Sequence, residues 1–445
     1  MSFRRCTARL SAILLTAALL TALTAVPAAA GAKYSGAFQS KAGGAKVTAK
    51  LYRSGKYRLT VSGKTLTVGK IKSGAKLKKA SWKKKKSQLW TVKKRSGGGV
   101  SFISCANKNY ALSATKKGLF LKKKRAEASQ VFKKVAAKKA AAGGAVTNAK
   151  DGAAQHGWLS VKGTQLVDAS GRPVVLHGMS SHGLQWFGNF ASSGAIGATA
   201  SYGANLFRAA MYTAENGYLS DKTGMYARLC AAVDAAVSRN MYVIIDWHIL
   251  SDANPRSHQG EAKAFFKKVS ARYAGTPNVL YEICNEPNGG TSWKDVKTYA
   301  EAVIPVIRNN SPRSVILVGT PTWSQDVDLA AADPLSFGNI MYVCHFYAGT
   351  HFAFLREKVS TALSKGAPIF VTEWGTSDAS GNGGVFTKEA ATWLSFLAQH
   401  KISWANWSLC DKSESSAALK PGANADDGIS SSELSASGKF VFARF

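Results

Sequence analysis

Between residues 174 and 407 a short apolar run recurs eight times, at 174–178, 204–210, 241–247, 279–284, 314–319, 340–345, 367–372 and 402–407. The runs are rich in β-branched and aromatic residues and too short for buried helices, so each reads as a strand buried on both faces. Most are followed by an amphipathic stretch with helical spacing, such as 225–239, 261–273, 293–309 and 388–400. Eight such alternations predict a (β/α)8 TIM barrel, an α/β fold whose parallel strands bring all their C-terminal ends to one face. Residues 159–175 alternate around Asp168-Ala169-Ser170-Gly171 and read as a hairpin that closes the opposite end, the barrel floor.

The polar residues of this region concentrate where the strands end. His182 follows the first, Arg208 and Tyr212 accompany the second, His248 follows the third, Asn285 and Glu286 the fourth, Trp323 the fifth, His345 and Tyr347 the sixth, Glu373 the seventh and Trp407 the eighth. Singly, each has a structural explanation: a satisfied core His, a packing Trp, a structural ion pair for Arg208. Together they converge on the face where barrel enzymes keep their chemistry. Two of them are carboxylic acids in matched settings, Glu286 in Tyr281-Glu282-Ile283-Cys284-Asn285-Glu286-Pro287 and Glu373 in Pro368-Ile369-Phe370-Val371-Thr372-Glu373-Trp374-Gly375. Two carboxyls delivered to one cleft suit hydrolysis of a glycosidic bond.

Charge divides the chain. Residues 33–150 hold about 32 Lys and Arg against one acid, Glu127, whereas 151–445 hold about 24 charges of each sign. The expected organisation is a signal peptide at 1–32, with Arg4, Arg5 and Arg9 before an apolar run and a small-residue end, then a basic domain at 33–135, an Ala/Gly/Lys-rich linker at 136–155 and the barrel at 156–445. That leader predicts a secreted, extracellular protein, possible cell-surface association through the basic domain, and no membrane span. Once Cys6 leaves with the leader, five scattered cysteines remain, a set that argues against a disulfide framework and a structural zinc site.

Within 33–135, short alternating runs such as Tyr57-Arg58-Leu59-Thr60-Val61 predict an all-β domain. Ser87-Gln88-Leu89-Trp90 and Ser129-Gln130-Val131-Phe132 stand 42 residues apart and close two strand-rich blocks, a period typical of repeated supersecondary units. These blocks resemble those of ricin-type β-trefoil lectins, which end in Gln-x-Trp. The sugar sites of that family use aspartate, and 33–150 contains none. Lysine runs at 83–86 and 122–125 instead point to an anionic polymer, such as one of the cell envelope, as partner.

Residues 156–445 resemble family-5 glycoside hydrolases, and among them bacterial endo-β-1,4-glucanases. The resemblance rests on His177-Gly178-Met179-Ser180-Ser181-His182-Gly183-Leu184-Gln185-Trp186, Arg208-Ala209-Ala210-Met211-Tyr212, Tyr242-Val243-Ile244-Ile245-Asp246-Trp247-His248, Asn285-Glu286-Pro287-Asn288-Gly289, His345-Phe346-Tyr347-Ala348-Gly349-Thr350-His351 and Thr372-Glu373-Trp374-Gly375-Thr376-Ser377. It implies a secreted retaining cellulase, acting on β-1,4-glucan through a covalent glycosyl-enzyme, monomeric and without cofactor or metal. It further implies Glu286 as acid/base and Glu373 as nucleophile, with Asn285 on the sugar 2-hydroxyl, Tyr347 and Arg208 on Glu373, His345 beside Glu286, and His182, Tyr212 and His248 on the sugar. Trp186, Trp323 and Trp407 match stacking positions, and Lys412 and Glu414 match polar contacts one sugar from the cut. Mannan or xylan as substrate, or a barrel that binds sugar without turnover, are the alternatives. Two stretches depart from the family pattern: the Gly/Ala-rich 192–203, which predicts loose helix packing, and Asp426-Asp427-Gly428-Ile429.

Overall fold

The computed structural model describes residues 36–43, 46–53, 55–61, 64–95, 99–134, 146–425 and 428–445. The leader at 1–32, residues 136–145 of the expected linker, and Asp426 and Asp427 lie outside them. The chain divides into two compact units, Met1–Ala137 and Lys138–Phe445.

In the second unit eight parallel strands close into a barrel. They are β1 (His177–Ser181), β2 (Leu206–Tyr212), β3 (Tyr242–His248), β4 (Val279–Glu282), β5 (Ile316–Gly319), β6 (Ile340–Tyr347), β7 (Ile369–Gly375) and β8 (Trp404–Leu409). Each pairs with its sequence neighbour, and β8 returns to β1 with Trp404 opposite His177. The (β/α)8 expectation therefore holds, but β1 begins three residues later than expected, and β2, β5, β7 and β8 two residues later. The apolar residues ahead of some strands serve another purpose. Val174, Leu176 and Val315 join Leu159 and Leu166 in a separate hydrophobic layer that plugs the N-terminal end of the barrel. Burial, not strand formation, makes those positions apolar.

The floor hairpin is present, with a different turn. Ser160–Lys162 pairs antiparallel with Gln165–Val167, so the chain reverses at Gly163, whose φ of +59° is left-handed, and Thr164. The expected turn at Asp168–Gly171 is the next bend, in which the Asp168 carboxylate accepts from the Ser170 and Arg172 N–H groups.

Helices cover the outside: α1 (Ser193–Ser201), α2 (Lys222–Ser238), α3 (Gln259–Arg272), α4 (Trp293–Arg308), α5 (Val327–Ala332), α6 (Ala353–Ser364), α7 (Thr387–Gln399) and α8 (Ala436–Phe442). In α4 the sequence logic is plain: Ser292 and Asp295 cap each other's backbone, and Trp293, Val296, Ala300, Val303, Ile304 and Ile307 form the buried stripe at helical spacing. The expectation of loose packing at α1 is overturned. Residues Ala195 to Ala200 are all buried, and a Cβ on Gly197 would stand 2.5 Å from Cγ1 of Val146. The missing side chain lets residues 146–149 lie against the helix, where the Thr147 N–H donates to the Gly197 carbonyl (3.1 Å) and the Ala149 N–H to that of Arg239 (2.8 Å). The stretch from 146 to 155, expected as linker, is thus fastened to the barrel unit.

The described residues of the first unit are all-β. Its eleven described strands are joined antiparallel in one sheet around Val47, Leu59, Leu66, Trp90, Phe102, Leu112, Leu121 and Phe132. The two Ser-Gln segments have the same local structure, a 3-10 turn (Lys86–Gln88 and Ala128–Gln130) leading into a strand. Each Gln amide clamps a preceding bend. The Gln88 Oε1 accepts from the Lys83 N–H and its Nε2 donates to the Ser81 carbonyl. Gln130 does the same to Arg125 and Lys123.

Candidate active site

Glu286 lies in the loop just past the end of β4, and Glu373 within β7, which is fixed by barrel pairing. One oxygen of each, together with a His345 ring nitrogen, falls within a group whose atoms are all inside 4.8 Å of one another. Their surroundings differ. The Tyr347 hydroxyl donates to Glu373 Oε1 (2.8 Å) and the Arg208 guanidinium to Oε2 (2.8 Å). Although burial favours the neutral form, the charges of His345 and Arg208 with the Tyr347 hydrogen bond bring Glu373 below its ordinary pKa. For Glu286 burial prevails over its His345 partner, and with the neighbouring charge of Glu373 it raises the pKa. The ring of Tyr347 reaches its place because residue 375 is glycine: a Cβ there would stand 2.3 Å from the ring.

Arg208, wholly buried on β2, organises the floor of this cleft. It donates to both oxygens of Glu282 (2.8 and 3.1 Å), to Asn285 Oδ1 (2.6 Å) and to Ser180 Oγ (3.3 Å), and stands 3.0 Å from Asp246 Oδ2. Three buried carboxylates around one guanidinium cannot all ionise cheaply. Glu282, despite its burial, is drawn down to about 2 by Arg208 and His345, while burial pushes Asp246 well above its ordinary value. Asp246 Oδ2 in turn lies 2.6 Å from His248 Nδ1. Burial and the charge of Arg208 lower His248 to about 3, so its ring is neutral.

Comparison with known proteins gives this arrangement a family. Residues 167–413 match the model for "Cellulase (glycosyl hydrolase family 5)", which is more than half of the chain. The chain belongs to glycosyl hydrolase family 5. It is 54% identical over 287 residues to an endoglucanase of Clostridium saccharobutylicum, covering 64% of each chain, and 51% identical to endoglucanase 5 of Pectobacterium carotovorum, covering 64% of this chain and 57% of that one. It therefore spans less than two thirds of the length of these relatives. Among solved structures, cellulase Cel5C_n superposes with a TM-score of 0.64 at 48% identity, covering 66% of this chain and 94% of that one. The catalytic domain of Thermobifida fusca endoglucanase Cel5A in complex with cellotetraose gives 0.63 at 40% identity, with 66% and 98% covered.

Around the carboxyl pair of this family-5 barrel lies an aromatic and polar rim. The rings of His248 and Trp407 are stacked with centroids 5.5 Å apart, His182 lies 4.9 Å from Trp407, and Tyr212 4.1 Å from His248 and 5.0 Å from Trp186. Lys412 reaches Glu414 and lies 3.4 Å from His182 Nε2. Trp323 stands apart from this cluster. It is 48% exposed, as Trp186 is at 46%, whereas Trp407 is buried at 6%. Thr322, Trp323 and Ser324 all have φ between +54° and +58°, backbone that non-glycine residues avoid. Hydrogen bonds from the Trp323 N–H to the Pro287 carbonyl, Thr322 Oγ1 to Asp326 and Ser324 Oγ to the Asn285 carbonyl hold it there.

Sequence reasoning missed Asp246, Glu282 and Thr372. An acid inside an otherwise apolar strand must be paired when buried, so Asp246 after Val243-Ile244-Ile245 and Glu282 after Val279-Leu280-Tyr281 carried a usable signal. Thr372 carried none.

Proposed function

We propose that this protein is a retaining endo-β-1,4-glucanase. The observation that supports it best is the carboxyl pair: two oxygens within 4.8 Å, one group's pKa raised and the other's lowered. Retaining glycosidases hold their carboxyls about 5 Å apart, too close for a water between them. Glu373 attacks the anomeric carbon while Glu286 gives its proton to the departing glycosidic oxygen, leaving a glycosyl-enzyme. Glu286, now ionised, takes a proton from water, whose oxygen attacks the same carbon and releases Glu373 with the original anomeric configuration. Arg208 and Tyr347 keep Glu373 ionised and aimed, and His345 orients Glu286. Asn285 meets the sugar 2-hydroxyl. His182, Tyr212, His248, Lys412 and Glu414 bind the sugars next to the cut, and Trp186, Trp323 and Trp407 stack on pyranose faces. The names of its relatives, endoglucanase and cellulase, favour glucan over mannan and xylan.

The test is a panel of soluble β-glucan, mannan and xylan with product analysis by chain length and by NMR of the first-formed anomer. Internal cuts in β-1,4-glucan with a β anomer are expected; an α anomer or no release of reducing ends would overturn the reading.

We read the N-terminal unit as an anion-binding module built on a ricin-type trefoil plan, tethering an exported, monomeric enzyme to an acidic matrix. Its support is charge: residues 33–135 hold 29 Lys and Arg against one acid, Glu127, which lies 4.0 Å from Lys122. No described helix is long and apolar enough to cross a membrane. Binding to anionic cell-wall polymer that fails at high salt is expected, and salt-insensitive binding to neutral cellulose alone would contradict it.

A further inference from the structure

The two Gln-clamped bends of the basic unit serve as a control on each other. In the second block the clamped tip is Lys124, exposed; 42 residues earlier the tip is Trp82, half-buried. The clamp therefore does not require an aromatic, and Trp82 has another task. Tyr52 meets its ring edge to face at 5.2 Å, and the Arg58 guanidinium lies 5.5 Å from the ring centroid. Arg58 projects from the side of its strand opposite Tyr57 and Leu59, which enter the core. It is half-buried, and burial lowers its pKa. No carboxylate among the described residues of this unit pairs with it, since Glu127 sits by Lys122. A desolvated cation without an anion, laid beside an aromatic face and followed by the exposed Lys83, Lys84, Lys85 and Lys86, is arranged to receive an anion that carries a ring.

We propose that Tyr52, Arg58 and Trp82 form a binding site for a polysaccharide of uronate units, the Trp82 ring taking a pyranose face and Arg58 its carboxylate. The proposal rests on the anion-binding reading of the unit and assigns it a site and a ligand class. A uronate chain fits better than single-stranded nucleic acid, whose sequence-independent binders offer aromatic platforms to successive bases, whereas here Tyr52 packs edge-on against Trp82 and the two rings make one platform. Lysines flanking one platform suit a polymer with a regular negative charge on each sugar.

The experiment uses the full chain, measuring retention on immobilised polygalacturonate, hydroxyethyl cellulose and single-stranded DNA at low and high salt. Trp82→Ala and Arg58→Gln are each expected to weaken polygalacturonate binding about tenfold, the scale of one cation–aromatic or stacking contact. Trp82→Phe should preserve most of the binding, and Lys124→Ala at the matched bend should change it little. Hydrolysis of hydroxyethyl cellulose in solution should be unaffected in all four variants. If the parent protein is not retained on polygalacturonate at low salt, the anion-binding reading falls and this site with it. If it is retained but Trp82→Ala and Arg58→Gln behave like Lys124→Ala, the charge reading stands and the site is overturned. Tighter binding of DNA that depends on the same residues would overturn the polysaccharide assignment.

Discussion

His345 places Nδ1 2.9 Å from Glu286 Oε1 and Nε2 2.8 Å from the Thr372 hydroxyl. That hydroxyl has one proton, and it donates it to Glu282 Oε1 at 2.8 Å, because Glu282 is ionised and can only accept. Thr372 must then accept from His345, so Nε2 carries a proton. The other proton of the pair is shared between Nδ1 and Glu286. Glu282 and Glu286 together raise His345 to about 9 against the opposing effect of burial. Glu282 also accepts from Arg208, which donates to Glu373. The proposed acid/base and nucleophile are therefore joined by a continuous hydrogen-bonded path through Thr372.

Thr372 is thereby a positioning residue. Replacing it with Val removes the acceptor for Nε2–H, disfavours the cationic ring and takes positive charge from beside Glu286. Glu286 must be protonated to act as acid, and its pKa would rise, so the basic limb of the kcat/KM profile should move to higher pH by about half a unit. The acid limb, set by ionisation of Glu373, should move in the same direction, because the charge of His345 also lowers Glu373. Thr372→Ser should restore the parental profile. An unchanged basic limb in Thr372→Val would remove Thr372 from this role.

The two glutamates are separable by chemical rescue. Glu286→Ala should still form a glycosyl-enzyme from an aryl glycoside with a good leaving group, and azide should capture it as the β-glycosyl azide. Glu373→Ala forms no such intermediate, and azide should enter directly to give the α product. The opposite pairing of products would exchange the two roles.

How much of this was legible in sequence depends on what made each residue distinctive. Barrel strands and strand-end residues were readable because buried parallel strands are continuous apolar runs and the polar residues that end them break the pattern sharply. Strand starts were not, since Val174, Leu176 and Val315 are apolar for the sake of the floor. Thr372 was hidden because a threonine in a strand is ordinary, and only the positions of His345 and Glu282 give its hydroxyl a task. The burial of α1 was misjudged because glycine's helix penalty is local, whereas its benefit at Gly197 comes from a segment some 50 residues earlier.

Trp323 and Trp407, both expected to stack on sugar, should respond differently to truncation. Trp407 packs with Ala210 and Tyr212 inside the cleft wall. Trp407→Ala should cost about 3 kcal/mol of stability as well as activity. Trp323, half exposed on its hydrogen-bonded loop, should lose oligosaccharide turnover about tenfold on Trp323→Ala with a nearly unchanged Tm. Thermal melts read beside kcat/KM on cello-oligosaccharides decide this. A collapse in the Tm of Trp323→Ala would make it a packing residue.

The strap at 146–155 makes a prediction about where the barrel unit begins. Besides the contacts of Thr147 and Ala149, Asn240 is held at φ +61° with its Nδ2 donating to the Ala149 carbonyl and to Gln155 Oε1, and its Oδ1 accepting from the Ala154 N–H. Val146 fills the space left by Gly197. A chain starting at residue 156 would expose the buried face of α1 to water and lose these hydrogen bonds, each contributing about 1 kcal/mol. It should melt several degrees below a chain starting at residue 138, with kcat/KM on soluble glucan preserved at low temperature because no cleft residue is touched. Gly197→Val in the longer chain should reproduce much of that loss, since its side chain would displace Val146 from the helix. Equal melting temperatures for the two chains would make 146–155 a linker after all.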